Sequence, residues 1–96
     1  MSKKLNDTLM YLNSDYSIKT IDMEPCIYRK ISDRYDIEVS GLDNSSKRFS
    51  ADVYVWDISN GDGIGATTVE NIHDIKSADE LKSVLDSLFV KYYSMK

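Results

Sequence analysis

The sequence predicts one α+β domain over residues 1–96, with an N-terminal helix, an antiparallel sheet of about four strands and a C-terminal amphipathic helix. Three observations lead to this class. Apolar residues recur at helical spacing at both ends of the chain, and apolar and polar residues alternate in its middle. The length of 96 residues is also close to the commonest size of a single domain. The C-terminal helix is expected to pack on one sheet face, because its apolar stripe needs a partner surface.

The N-terminal helix is predicted from Leu5, Leu9 and Leu12, which lie on one helical face. We expect this helix to cover about residues 3–14. It should stop near Asn13-Ser14-Asp15, whose side chains compete for backbone hydrogen bonds.

The C-terminal helix has the clearest signal in the chain. Ser77-Ala78-Asp79-Glu80 matches a capping box, in which the serine accepts from the Glu80 amide and Glu80 reaches back. Lys91 and Lys96 lie toward the negative end of the helix dipole. One continuous apolar stripe follows the cap and consists of Leu81, Val84, Leu85, Leu88, Phe89 and Tyr92.

Strand character is concentrated between the helices. Pro25 is expected at a strand edge or between strands, because it cannot donate to a ladder. Polar turns are predicted at Ser32-Asp33-Arg34 and at Ser59-Asn60-Gly61-Asp62-Gly63, and a polar loop at Asp43 to Arg48. The strand-like segments cover residues 16–20, 26–31, 35–40, 49–57 and 66–72.

The central pair of strands predicts two faces of different character. Period-2 alternation assigns Tyr35, Ile37, Val39, Phe49, Ala51, Val53 and Val55 to the core. The opposite face then carries Asp36, Glu38, Asp52, Tyr54 and Trp56. Tyr and Trp dominate binding hot spots, and carboxylates around them steer a basic partner. These five residues are the candidate partner-binding site. The alternative is that helix 1, a loop or a second copy of the chain covers Tyr54 and Trp56.

Residues that could carry catalysis or hold a metal are few. Cys26 and His73 are single, so structural zinc is excluded unless two chains share a site, and no motif brings the two residues together as a dyad. The stretch from Gly61 to Gly65 is followed by Thr67-Thr68-Val69, which favours a strand over the helix that a phosphate-binding loop opens. Asp57, Ser59, Asn60 and Asp62 fail the EF-hand spacing, so only weak cation binding is open to them. We therefore expect no enzyme activity, no metal and no cofactor.

The composition limits the partners and the compartment. The formal net charge of −4 argues against direct nucleic-acid binding, which needs cationic groups to displace phosphate counterions. It is compatible with an acidic surface that meets a basic protein. A single cysteine allows no internal disulfide and fits the cytoplasm. No apolar run approaches the length of a membrane span, and Met1 to Asp7 has no apolar run behind it, so no signal peptide is expected.

Leu5-Asn6-Asp7, followed by Asp15-Tyr16-Ser17-Ile18-Lys19 at the start of a strand, resembles the beginning of small type II anti-CRISPR proteins from phages of Gram-positive bacteria. The layout and the acidic charge are similar too, and the frequent Lys, Asn, Ile, Asp, Ser and Tyr are typical of an AT-rich genome, which is consistent with that setting. The C-terminal half departs from the family in its long helix and its Val53–Asp57 strand, and no functional residue is carried over. The resemblance implies an inhibitor whose acidic side chains occupy a basic nucleic-acid-binding surface on a Cas nuclease.

Together these observations predict a non-enzymatic, cytoplasmic protein-binding module, such as a phage or mobile-element inhibitor of a host nucleic-acid enzyme. The alternative is a homodimeric structural or assembly protein, in which the face of Tyr54 and Trp56 is the self-interface.

Overall fold

The chain folds into a five-stranded antiparallel sheet with one helix before it and one after it. The computed structural model describes residues 1–61 and 65–95. In chain order the elements are α1 (Lys3–Tyr11), β1 (Ser17–Ile21), β2 (Glu24–Lys30), β3 (Tyr35–Ser40), β4 (Ala51–Asp57), β5 (Thr67–Ile75) and α2 (Ala78–Tyr93). The predicted α+β class is confirmed, with five strands where about four were expected. The predicted turn residues Asp62 and Gly63, and also Lys96, lie outside the described residues.

The strands are arranged in sequence order, so each strand pairs with the one that follows it along the chain. β1 and β2 are joined by Asp22 and Met23, which have φ angles of 50° and 66°. Two successive positive φ angles are the combination of a type I′ turn, whose twist matches that of the flanking strands. The predicted polar turn between β2 and β3 is present, and Ser32 Oγ accepts hydrogen bonds from the amides of Arg34 and Tyr35.

Pro25 lies inside β2, opposite Thr20 of β1. Proline has no N–H to donate, and the position of Pro25 in the ladder is one where no strand needs that donor. The pair that closes a two-residue hairpin exchanges hydrogen bonds, and the next pair does not. The pairing of β2 with β3 begins only at Ile27, so no β3 residue is registered opposite Pro25.

The core lies between one face of the sheet and both helices. Ile37, Val39, Val53 and Val55 are fully buried, as the alternation predicts, whereas Phe49 lies before β4 and is only half-buried. The buried apolar cluster consists of Leu5, Leu12, Tyr16, Ile27, Ile31, Tyr35, Ile37, Val39, Leu42, Ala51, Val53, Val55, Ile75, Leu81, Leu85, Leu88 and Tyr92. Helices and sheet therefore share one core, and both helices cover the same face.

α1 is shorter than the predicted range of 3–14. Ser2 caps its start by accepting from the Leu5 amide, and Leu12 already has extended backbone with ψ of 168°. The Lys4 ammonium donates to Asn44 Oδ1 and to the carbonyls of Ser46 and Arg48. The loop that follows β3 is thereby held against α1.

α2 begins at the predicted cap, with one difference in the partner of Glu80. Ser77 Oγ accepts from the Glu80 amide at 3.1 Å, but Glu80 Oε1 accepts from the Lys76 amide at 2.9 Å, one residue earlier than expected. The predicted stripe faces the core, with Leu81, Leu85, Leu88 and Tyr92 buried and Val84 and Phe89 packed beside them. At the other end of α2, Lys91 and Tyr92 both donate to Glu70 of β5.

Candidate protein-binding surface

The sheet face opposite the two helices, which we call the outer face, carries all five residues of the predicted site. In the pairing of β3 with β4, Asp36 lies opposite Trp56 and Glu38 lies opposite Tyr54. Asp52 is two residues along β4 from Tyr54 and points to the same face because side chains alternate along a strand. The antiparallel register therefore brings the five side chains together.

Tyr28 of β2 belongs to the same surface, although the sequence analysis assigned it no role. It pairs with Glu38, which in turn pairs with Tyr54, so Glu38 lies between two tyrosines in one row across the sheet. Alternation along the strand 26–31 indicates which sheet face Tyr28 takes. Its placement beside Glu38 depends on the register, which alternation does not specify.

A hydrogen bond orients the aromatic centre of the outer face. Trp56 Nε1 donates to Glu38 Oε1 at 3.2 Å. The Tyr54 and Trp56 rings lie side by side, with centroids 6.4 Å apart and planes tilted by 33°. Both side chains are partly exposed. α1 packs on the opposite face and the loop after β3 is held against α1, so neither covers them.

The carboxylates of β3 are much less accessible than the sequence analysis expected. Asp36 is 3% exposed and Glu38 is 9% exposed. Their alternation suggested solvent-facing charges that steer a partner, and this part of the interpretation is wrong. The physical reason is size, because the register places Lys30 and Trp56 on either side of Asp36 and Tyr28 and Tyr54 on either side of Glu38, and all four side chains are longer than the carboxylates between them.

Burial changes the chemistry of Glu38. Desolvation raises the pKa of Glu38 above its ordinary value, and the hydrogen bond from Trp56 opposes this by stabilising the carboxylate. The nearby charges of Asp36, Asp22 and Glu24 raise this pKa further. The outer face also carries two lysines, with Lys30 registered opposite Asp36 and Lys19 Nζ 4.5 Å from the centre of the Tyr28 ring. Its carboxylates therefore lie among cations of the same chain, and Glu38 holds its proton more tightly than usual.

Asp52 has a different environment and remains partly exposed. It accepts from the Asp74 amide at 3.0 Å, and the same Oδ1 atom lies 3.4 Å from His73 Nδ1. The His73 ring meets the Tyr54 ring edge-on at 5.6 Å. Burial, followed by the charges of Asp52 and Glu38, raises the pKa of the Tyr54 hydroxyl. His73 is exposed and borders the candidate site.

Cys26 and His73 are not brought together. They lie on β2 and β5, which are three strand spacings apart, roughly 14 Å. The Cys26 thiol is buried, and burial together with Glu38, Glu24 and Asp22 raises its pKa to about 12. A thiol with such a pKa is not a nucleophile at neutral pH.

Asp57, one of the residues considered for cation binding, is engaged in hydrogen bonds of its own. The Asp57 carboxylate accepts from the Ser59 amide and hydroxyl and from Arg34 Nε, and these hydrogen bonds lower its pKa. Asp62 and part of the Gly61–Gly65 stretch lie outside the described residues. Within residues 1–61 and 65–95, no three His, Cys, Asp or Glu side chains are grouped as metal ligands.

Comparison with known proteins identifies no relative. No protein-family model matches the chain, and no curated protein or solved structure is significantly similar to it. In the part of the chain that the structure describes, neither helix is long and apolar enough to cross a membrane.

Proposed function

We propose that the protein is a non-enzymatic binding module that contacts a protein partner with a basic surface through the outer face. The observation that carries this proposal is the aromatic centre formed by Tyr28, Tyr54 and Trp56 around Glu38, on a sheet face that neither helix covers. A rigid sheet that presents partly exposed Tyr and Trp side chains has the features of an interface hot spot.

The charge of the outer face indicates the chemistry of the partner. Asp36, Glu38 and Asp52 lie on the same face as the aromatic rings, and Asp22 and Glu24 lie close enough to shift the pKa of Glu38. These five carboxylates outnumber the two lysines of this face, Lys19 and Lys30. A lysine or arginine that meets this face can contact an aromatic ring and a carboxylate together, which favours a cation over a neutral side chain. Because Asp36 and Glu38 are buried, they act at short range after contact, and long-range steering falls to Asp22 and Asp52.

A more specific form of this proposal is inhibition of a host nucleic-acid enzyme, such as a CRISPR–Cas nuclease, by a phage or mobile-element protein. It is supported by the resemblance of the N-terminal residues to type II anti-CRISPR proteins and by the net charge of −4. The carboxylates would stand in for phosphates on the basic groove of the enzyme, with Trp56 as the apolar anchor.

The test compares two baits that differ in one side chain. Wild-type protein and Trp56→Ala are immobilised and exposed to a lysate of a Gram-positive bacterium, and bound proteins are quantified by mass spectrometry. The proposal expects at least one basic protein that the wild type enriches and Trp56→Ala does not. Val90→Ala, which changes a side chain 66% exposed on α2, is the control and should retain that protein.

Each enriched protein is then purified and titrated at two salt concentrations. A steered contact with a basic partner weakens as salt rises, whereas an apolar self-interface does not. Identical capture by the two baits would contradict the proposal. Salt-independent self-association that Trp56→Ala abolishes would instead favour a homodimeric structural or assembly protein.

A further inference from the structure

The turn between β1 and β2 exposes an apolar side chain in a strained conformation. Met23 is 95% exposed and has a φ of 66°. This region of backbone space is unfavourable for a residue with a side chain, and glycine or asparagine is the usual choice in such a turn. Strained residues persist where their surroundings or a function compensates. With almost no contact inside its own chain, Met23 points to a contact outside it.

Two carboxylates flank this methionine. Asp22 precedes it and is exposed, and Glu24 follows it as the first residue of β2. Glu24 Oε2 accepts a hydrogen bond of 2.8 Å from the Gly41 amide, which fixes the base of the turn against the end of β3. Residues 22–24, which we call the hairpin tip, are therefore an anchored apolar side chain between two negative charges.

A groove with the opposite character lies elsewhere on the molecule, between α1 and the loop that follows β3. Its volume is about 840 Å³, which is in the range of protein ligand sites. Its apolar lining comes from Tyr11, Phe49 and Ala78. Three lysines and one aspartate also line it, namely Lys3, Lys4, Lys47 and Asp7. The lining side chains thus carry a formal charge of +2 on a chain whose net charge is −4, and the Asp79 carboxylate lies beside the lining, where it accepts from the Tyr11 hydroxyl.

The groove is held open by its own contacts. Lys4 ties the loop to α1 through three hydrogen bonds, whereas Lys3 pairs with Asp7 at 2.7 Å within α1. Lys47 is exposed and lies at the loop side of the groove. An occupant with an apolar centre and negative flanks would meet the apolar lining together with the ammonium group of Lys47.

We propose that the chain associates with itself, with the hairpin tip of one copy inserted in the groove of a second copy. Met23 occupies the apolar lining beside Tyr11 and Phe49, and Asp22 meets Lys47. The charge complementarity of the two surfaces identifies the occupant, because the acidic tip and the basic groove belong to the same chain. This contact does not use the aromatic centre of the outer face, although it shares Asp22 with the function proposed above. Met23 and Lys47 belong to the self-contact alone, and Trp56 belongs to the outer face alone, so variants at these positions distinguish the two proposals.

The test measures the mass of the protein in solution by sedimentation velocity and light scattering over a wide range of concentration. The expected result is a mass above the monomer value of 11.0 kDa that rises with concentration and falls with added salt. Met23→Asn keeps a residue that tolerates positive φ but removes the apolar side chain. It should raise the dissociation constant about tenfold or more, as should Lys47→Glu. Met10→Asn makes the same exchange at a methionine 83% exposed outside the groove lining, and should change nothing.

An exchange of charges between the hairpin tip and the groove tests whether these two surfaces contact each other. Asp22→Lys and Lys47→Glu should each associate weakly alone and should associate again when the two variants are mixed. A protein that is monomeric at every concentration would overturn the proposal. So would association that is unaffected by Met23→Asn and Lys47→Glu, or that only Trp56→Ala disrupts, which would assign self-contact to the outer face. Circular dichroism of each variant establishes that its fold is intact.

Discussion

Trp56 and Glu38 are joined by a hydrogen bond of 3.2 Å that runs diagonally between β4 and β3. The bond satisfies the indole N–H and holds the edge of the ring beside a carboxylate that is 9% exposed. An aromatic anchor and a buried charge are therefore one unit, and a change in either alters the other.

The first prediction concerns Trp56 as the binding anchor. Trp56→Ala should weaken binding to the basic partner by about 2 kcal/mol or more, as truncation of a central aromatic residue usually does. Titration calorimetry with the captured partner measures this, and circular dichroism monitors the fold. Normal binding by a folded Trp56→Ala protein would exclude the outer face as the contact surface.

The second prediction separates the three carboxylates of the outer face. Asp52→Lys should chiefly slow association and flatten its salt dependence, because Asp52 is partly exposed. Asp36→Lys and Glu38→Lys should instead lower the free energy of unfolding, because each places a long charged side chain in a buried position. Stopped-flow association rates and urea denaturation distinguish the two effects. Normal stability of both β3 variants would mean that these positions are open to solvent.

The third prediction is a pH dependence that arises from Glu38. The pKa of Glu38 in the folded protein is raised above 4.5, so the folded state keeps this proton at a pH where the unfolded chain has lost it. The contribution of Glu38 to stability therefore decreases as the pH rises from about 4.5 through the folded-state pKa, and then levels off. Glu38→Gln, whose side-chain oxygen can still accept from Trp56, should remove this decrease and unfold at a higher temperature at neutral pH. The free energy of unfolding of the wild type and of Glu38→Gln is measured against pH, and parallel curves for the two proteins would contradict the prediction.

The fourth prediction uses the strain at Met23. Met23→Gly should raise the free energy of unfolding by about 0.5 kcal/mol, because relief of roughly 1–2 kcal/mol of left-handed strain outweighs the added freedom of the unfolded chain. Met10→Gly, at another exposed methionine but within α1, should have the opposite effect and cost about 1 kcal/mol. Urea denaturation of the three proteins measures both. A loss of stability in Met23→Gly would mean that the Met23 side chain makes stabilising contacts in its own chain.

The fifth prediction tests how α2 is held. Leu85 is fully buried, and Leu85→Ala should cost about 2–5 kcal/mol, since it leaves a cavity in the only core cluster of the described residues. Ser77→Ala should cost about 1 kcal/mol, because the Glu80 amide loses its acceptor. Ser83→Ala, at an exposed position within α2, is the control and should be close to neutral. Losses below about 1 kcal/mol for Leu85→Ala would indicate that α2 is peripheral.

Much of the fold could be predicted because it depends on local spacing. The apolar stripe from Leu81 to Tyr92 and the cap at Ser77 require only the geometry of one helix, and both are present. Two details differ from expectation: α1 ends before Leu12, and Glu80 accepts from the Lys76 amide and not from the Ser77 amide. Both depend on the backbone conformation of single residues, which the spacing of apolar residues does not specify. Alternation also assigned Ile37 and Val53 to the core and Trp56 to the other face, because the period of a strand is 2.

Tertiary structure decided the rest, since it depends on which strands become neighbours. The residues around Glu38 show this most clearly. Its face follows from the sequence, but its burial follows from the register that places Tyr28 on one side, Tyr54 on the other and Trp56 on the diagonal. The same holds for His73 beside Asp52, 21 residues away in the chain, and for the groove between α1 and the loop after β3. The sequence by itself determined which face each side chain takes, and long-range strand pairing decided which side chains meet there and which of them solvent can reach.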